Sequence, residues 1–406
     1  MNILFLEPAF PSNQRAFVRA LREIGANVMG IGERPYEWLD DEVKSWLGGY
    51  WQIQSVTDEP HLEWAVREAQ RHHWIDRLEA TVEAHILPAA HVRERTGIPG
   101  ISPRTAFLCR DKIAMKDVLR RAGVPTAASA GVSSWAEADA FAREVGFPVI
   151  LKPRDAAGAA GTYRADTPQE LEAVLRQSGV ADGAPAAMEE FVEGHEAFYD
   201  TLTVAGRVEI DFISHYHPNV LEAMRTRWIS PQIVATNRMD APAYAEVKDM
   251  GRRVIDALGI TTAATHMEWF FGPKGLKFSE IGCRPPGVGQ WDSYAAAGSF
   301  DIYRAWAEAV CHLYTDLRPS RGHAAGIVAL RPERDGRIAG YSGTDRFFER
   351  HGHLVVGQHF PEPGTPTQGV EAGYMANSWL RLRHPDVDTL RAILTEAGEQ
   401  ITVHAR

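Results

Sequence analysis

The chain opens on a short apolar run, NILFL at residues 2–6, then a Pro-bounded loop and an amphipathic stretch from Gln14 to Ile24. Gly25 follows as a helix stop, and NVMGIG at 27–32 reads as a second buried strand. This strand–helix–strand alternation repeats loosely to about residue 100, which predicts a small parallel sheet covered by helices on both faces. The loop Glu7–Asn13 falls at the carboxyl end of that sheet, where such folds bind ligands. It carries no GxGxxG, so a dinucleotide is not expected there.

The pattern then changes. DKIAMKDVLRRA (111–122) predicts a helix with Asp111 near its start, arginines in its last turn and Gly123 as its stop. Ser134 with Glu137, and Thr167 with Glu170, are S/T-x-x-E capping boxes that start two further helices. Between those helices FPVILKP (147–153) reads as a buried strand ending in a lysine, and RDAAGAAG (154–161) as a small-residue loop. AAMEEFV (186–192) is strand-like, and 201–214 reads as a hairpin around Ala205-Gly206. A helix should run from near Ala243 to Leu258, and a second hairpin should join ATHMEWFF (264–271) to LKFSEI (276–281). If that hairpin turns over three residues (Pro273, Lys274, Gly275), Glu268 lies opposite Glu280 with Gly275 left-handed. A four-residue turn would set Glu268 against Ser279 and throw the two carboxylates to opposite faces. After a helix at about 300–314 the last 80 or so residues look strand-rich and end in a helix from Val387 to Ile401.

Composition adds constraints to this outline. The 406 residues are 45% hydrophobic and 24% charged, an ordinary globular balance with room for more than one core. A net charge of −10 argues against a general nucleic-acid binder, since phosphate neutralisation needs a basic face. No apolar run approaches the ~20 residues that span a bilayer, and the start lacks the basic region of a signal peptide. The three cysteines, Cys109, Cys283 and Cys311, have no paired spacing that indicates a disulfide framework or a zinc site. A reducing cytoplasm is the expected setting, with small molecules as partners and a homodimer left open.

A lysine at a strand end is usually a solvated charge, and a Gly/Ala loop is usually a plain turn. Their order changes the reading. A lysine strand, a flexible small-residue loop, a strand ending in paired glutamates and two later glutamates on one hairpin together suit ATP. Its polyphosphate needs cations and backbone N–H groups, its base an apolar slot, and its magnesium carboxylate oxygens.

In that order the segments RDKIAMKDVLRRAGVP (110–125), PVILKP (148–153), DAAGAAGT (155–162), MEEFVEGHE (188–196), HMEW (266–269) and SEIGCRPPG (279–287) resemble the ATP-grasp superfamily. Within it the chain is similar to the carboxylate–amine ligase branch that includes bacterial L-amino-acid ligases, over about residues 75–400. The resemblance implies that Lys112 and Lys152 contact ATP, with Lys152 on the α-phosphate side, and that Gly158 and Gly161 belong to a phosphate-covering loop. It implies that Glu189 accepts from the adenine amine, that the Phe191–Val192 backbone faces the base edge, and that Glu196 holds ribose hydroxyls. Glu268 and Glu280 become magnesium ligands, with manganese as an alternative ion, and Arg284 faces the transferred phosphate. Glu83 is a candidate for a substrate ammonium, or a helix cap; Arg225 and Arg227 for a substrate carboxylate; and His266 for the substrate pocket or a structural role. Trp228, Trp269 and Trp291 are candidates for its walls. One position departs from the pattern: Gly282 stands where an asparagine commonly helps to hold a magnesium ion.

The implied fold combines α/β and α+β parts. It has a parallel-sheet first domain (1–103), a connecting helical segment (104–124), a lid (125–190), an antiparallel-sheet part with the metal site (191–320) and a β-rich C-terminal domain (321–406). The implied reaction activates a carboxylate as an acyl phosphate and passes it to an amine, releasing ADP and phosphate. A carboxylase of biotin or purine-ribotide type shares the ATP chemistry, and Gly282 prompts a third reading, a nucleotide sensor without turnover.

Overall fold

The computed structural model describes residues 1–155, 161–370 and 373–406. Strands β1 (Asn2–Leu6), β2 (Asn27–Gly32), β3 (Leu47–Gln52) and β4 (Arg77–Glu79) form a parallel sheet in the order β3-β2-β1-β4. β1 is buried on both faces, which is why it reads as an unbroken apolar run. On one face Leu4 and Leu6 pack with Leu62, Val66, Ala89 and Val92 from the helices Glu59–His72 and Glu83–Thr96. On the other, Ile3 and Phe5 join Phe17 of helix Gln14–Glu23 and Trp306 of helix Ile302–His312. The first sheet therefore shares a core with the middle of the chain.

The lid is an antiparallel sheet of β5 (Ser129–Val132), β6 (Val149–Lys152), β7 (Tyr163–Ala165) and β8 (Ala186–Glu190), ordered β5-β8-β6-β7. Both capping boxes form. Ser134 Oγ accepts from Glu137 N at 3.4 Å and Thr167 Oγ1 from Glu170 N at 3.2 Å, and each glutamate reaches back to the amide just before the cap residue.

The largest sheet contains β9 (His195–Val204), β10 (Arg207–His217), β11 (Gln232–Ala235), β12 (Ala263–Gly272), β13 (Gly275–Gly282), β14 (Ala324–Leu330), β16 (Val355–His359) and β17 (Ser378–His384). Its order is β13-β12-β9-β10-β11-β14-β17-β16. Three C-terminal strands thus extend the central sheet, and the boundary expected at 320/321 falls inside one continuous layer. Helix Val387–Gln400 covers that end with Leu390, Leu394 and Ala397. β15 (Ile338–Ser342) and β18 (Thr402–Ala405) pair separately. Among the described residues no helix is long and apolar enough to cross a membrane.

Candidate active site

A cleft of about 860 Å³ opens between the lid and the central sheet, within the size range of small-molecule sites. Side-chain alternation decides what faces it. On β9 Glu196 and Phe198 line the cleft, while Ala197 and Tyr199 belong to the core behind the sheet. On β12 His266, Glu268 and Phe270 line it, while Met267 and Trp269 are buried behind.

The hairpin that carries the two expected metal glutamates reaches the expected pairing by another route. Gly272 pairs with Gly275, so the turn has two residues, not three. Gly275 is left-handed as expected, at φ +75°. Continued without interruption, this register would set Glu268 against Ser279. A bulge intervenes: Trp269 pairs with Phe278 and Glu268 with Glu280, leaving Ser279 as the extra residue. The bulge sets Glu280 in the cleft opposite Glu268, while Phe278 is buried in the core at the cleft's edge.

Lysines meet these carboxylates. Asp111 accepts from Ile113 N at 3.1 Å and Ala114 N at 2.9 Å, starting helix Lys112–Arg121 so that Lys112 enters the cleft at its first turn. Lys112 Nζ lies 3.5 Å and Lys152 Nζ 3.8 Å from Glu280 Oε2. Lys152 is also 3.1 Å from Glu189 Oε2, and Lys116 is 2.5 Å from Glu189 Oε1. Burial alone would raise the Glu189 carboxyl, but the two ammonium groups outweigh it and bring it down to about 2. Glu189 was expected to accept from an adenine amine; instead both its oxygens are taken by lysines. Sequence reasoning missed Lys116, although its place one turn after Lys112 was a usable signal.

Other expected residues divide. Phe191 and Val192 line the cleft. The Phe191 amide donates to Pro148 O at 3.2 Å, so this N–H is already engaged and does not face a base edge. Glu196 Oε2 accepts from Val220 N at 2.7 Å, and burial, reinforced by Glu268, pushes its carboxyl up to about 8. His266 presents Nδ1 to Asp200 Oδ1 at 2.7 Å and Nε2 toward Glu268 Oε1 at 3.5 Å. Burial would lower its pKa, but Asp200 outweighs that and raises it to about 9. Asp200, which also accepts from Tyr294 Oη at 2.5 Å, was not legible beforehand.

Arg284 lines the cleft, with Nε donating to Glu83 Oε2 at 2.8 Å. Glu83 is the first residue of its helix, beyond a strand that ends at Glu79, and its other oxygen lies 3.4 Å from Arg110 Nη1. This corrects the expectation of a substrate ammonium at Glu83, since two guanidinium groups already occupy its carboxylate. The same pair lies close to Gly282, where a Cβ would stand 3.0 Å from Glu83 Oε2. Arg225 lines the cleft, whereas Arg227 turns away to Asp335 Oδ2 at 2.5 Å, which removes it from the site. Trp228 is 87% exposed, Trp269 and Trp291 are buried in separate cores, and none of the three lines the cleft. Gly161 is left-handed at φ +69° beside Pro153; Gly158 lies outside the described residues.

The donor set fits a hard cation. Glu268 and Glu280 offer carboxylate oxygens, and among the described residues no three acidic, histidine or cysteine side chains form a closed cage. One or two carboxylates completed by substrate phosphates and water is how magnesium is commonly held.

Residues 117–299 match the family model of the ATP-grasp domain, a stretch that includes Lys152, Glu189, Glu268, Glu280 and Arg284. The chain carries an ATP-grasp domain. Among curated relatives, the L-arginine-specific L-amino acid ligase of Bacillus subtilis is 27% identical over 250 residues. That alignment covers 60% of this chain and 60% of the relative, so the likeness spans a little over half of each protein. Among solved structures, L-amino acid ligase from Bacillus licheniformis superposes with a TM-score of 0.79 at 16% identity, covering 100% of this chain and 98% of that one. Phosphoribosylglycinamide synthetase from Anaerococcus prevotii gives a TM-score of 0.73 at 14% identity, covering 100% and 99%. At such identities the structural matches speak for a shared fold alone, and that likeness extends across the whole chain.

Proposed function

We propose that this chain is an ATP-dependent carboxylate–amine ligase that joins amino-acid or peptide-like substrates and releases ADP and phosphate. The observation that carries the proposal is the opposition of Glu268 and Glu280 on one hairpin, facing Lys112, Lys152 and Arg284 across a single cleft. Carboxylates and cations in that arrangement suit a polyphosphate with its metal. The likeness to an amino acid ligase supports the choice of acid and amine.

On this reading Lys112 and Lys152 hold the phosphates and Phe191 and Val192 line the slot for the base. Glu196 faces the ribose, Arg284 the transferred phosphoryl group, and Arg225 and His266 border the substrates. Glu268 and Glu280 would hold magnesium, which supplies charge neutralisation at the phosphates when bound. A substrate carboxylate oxygen bonds to the γ-phosphorus as the bond to the β-γ bridging oxygen breaks, giving an acyl phosphate and ADP. The amine nitrogen then attacks the acyl carbon, phosphate leaves, and the nitrogen gives up a proton. Electrostatic stabilisation of the phosphoryl transfer is the main catalytic contribution. The mechanism needs no protein nucleophile.

The test is phosphate release across a matrix of amino-acid pairs, with mass spectrometry of products. Release that needs an acid and an amine together, with ADP as the nucleotide product, supports the ligase. AMP as the stoichiometric product overturns the mechanism, a bicarbonate requirement without any amine transfers the reading to a carboxylase, and ATP binding with no release in any pool indicates a sensor.

A further inference from the structure

Lys116 sits in the middle of helix Lys112–Arg121 with its side chain 0% exposed. It ends a ladder of alternating charges: Lys116 against Glu189 at 2.5 Å, Glu189 against Lys152 at 3.1 Å, Lys152 against Glu280 at 3.8 Å, and Glu280 against Lys112 at 3.5 Å. On the ligase reading, which this inference rests on, the ladder describes the cleft before nucleotide enters. Lys152 must then turn to a phosphate and Glu280 to a metal ion, and both must loosen contacts made here. Glu189 has nowhere to go. Its side chain is 7% exposed, and a carboxylate left there with no cation would be strongly disfavoured.

We propose that Lys116 is a positioning residue, a fixed counter-charge that keeps Glu189 neutralised so that Lys152 is free to leave it for the nucleotide. Its enclosure is what suits it to the task, because a lysine with no exposed surface stays where it is when phosphate arrives. Glu189 from β8, Lys152 from β6 and Glu280 from β13 are the charged groups facing it, with Lys112 on its own helix. Burial lowers its pKa, against the pull of Glu189, to about 8. It therefore carries its charge through neutral pH.

The experiment is a double-substitution cycle read by calorimetric binding of Mg-ATP and Mg-ADP, which needs no knowledge of the acid or amine. Lys116→Met should raise the Kd for Mg-ATP at least tenfold. In a Glu189→Gln background, where no carboxylate is left to neutralise, the same substitution should change Kd by less than threefold. Equal losses in both backgrounds would show that Lys116 acts independently of Glu189 and would overturn the inference, as would no loss in either. Should Lys116→Met fail to fold, the unmodified protein supplies the second measurement. Its affinity for Mg-ATP should fall as pH rises through about 8 and Lys116 gives up its proton. Glu189→Gln should not show that fall, and a flat profile to pH 9.5 in the unmodified protein overturns the inference. Failure of the parent reading looks different: the unmodified protein would bind neither nucleotide.

Discussion

Glu268 and Glu280 stand opposite one another because Ser279 is squeezed out of the ladder between β12 and β13, not because the turn is long enough to align them. Removing Ser279 should therefore leave an unbulged hairpin with the same pairing. Magnesium-dependent ATP binding should survive the deletion within about tenfold, whereas Glu268→Gln or Glu280→Gln should weaken turnover on the order of 100-fold. Calorimetric titration with ATP at several magnesium concentrations, with phosphate release alongside, checks both outcomes.

Lys152→Ala should abolish turnover, as expected of a lysine that faces the phosphates. The structure adds a stability effect that a strand-end lysine does not usually carry. Lys152 is 11% exposed and bridges Glu189 and Glu280, so its loss leaves two carboxylates under-compensated. Unfolding free energy should fall by about 1–3 kcal/mol, measured by urea denaturation at pH 7. A well-folded variant with near-normal activity would remove Lys152 from the site.

His195, His215 and His217 stack behind the cleft, with His195 Nε2 and His215 Nδ1 2.8 Å apart and ring centroids of His195 and His217 at 5.2 Å. Burial, aided by the neighbouring positive groups, lowers His215 to about 4 and His217 to about 3. The unfolded chain, with histidines near their ordinary value of ~6.5, binds more protons than the folded one between these values. Stability from the stack is thus complete above that value and is lost as pH falls toward 4, by about 1–3 kcal/mol. Urea midpoints between pH 7.5 and 4.5 should drop less for His217→Asn than for the unmodified protein; parallel curves would contradict the assignment.

Arg225 and Arg227 are two residues apart and should behave oppositely. Arg225 lines the cleft, so Arg225→Ala should raise the KM for one substrate about tenfold, the effect of losing one charge-assisted hydrogen bond of ~1.5 kcal/mol. Arg227 pairs with Asp335 away from the cleft, so Arg227→Ala should leave KM and kcat within about twofold. Steady-state kinetics on the amino-acid pair found by the phosphate screen separates the two.

Local chemistry was legible in the sequence wherever a few neighbouring residues decide the outcome. Ser134 and Thr167 cap the helices they were expected to cap, and Asp111, expected near a helix start, is the cap of that helix, because a short side chain and the amides it satisfies lie within three residues. Gly275 is left-handed for the same local reason. The order of lysine strand, small-residue loop, glutamate strand and glutamate hairpin pointed to ATP, and the resemblance of those segments to ATP-grasp proteins is borne out by the family match over residues 117–299. Partners distant along the chain had to wait for the tertiary structure. Glu83 meets Arg284 across 201 positions, which turned a candidate ammonium site or helix cap into an arginine support lying close to Gly282. Asp200 finds His266 on the adjacent strand, and Lys116 finds Glu189 only when helix and lid close on each other. The bulge at Ser279 belongs with these, since β12 is held in register on its other side by β9 and the hairpin had to absorb the difference. Sequence determines which groups a segment can offer; burial and the approach of distant segments decide which charges are paired, and so which are left to face a ligand.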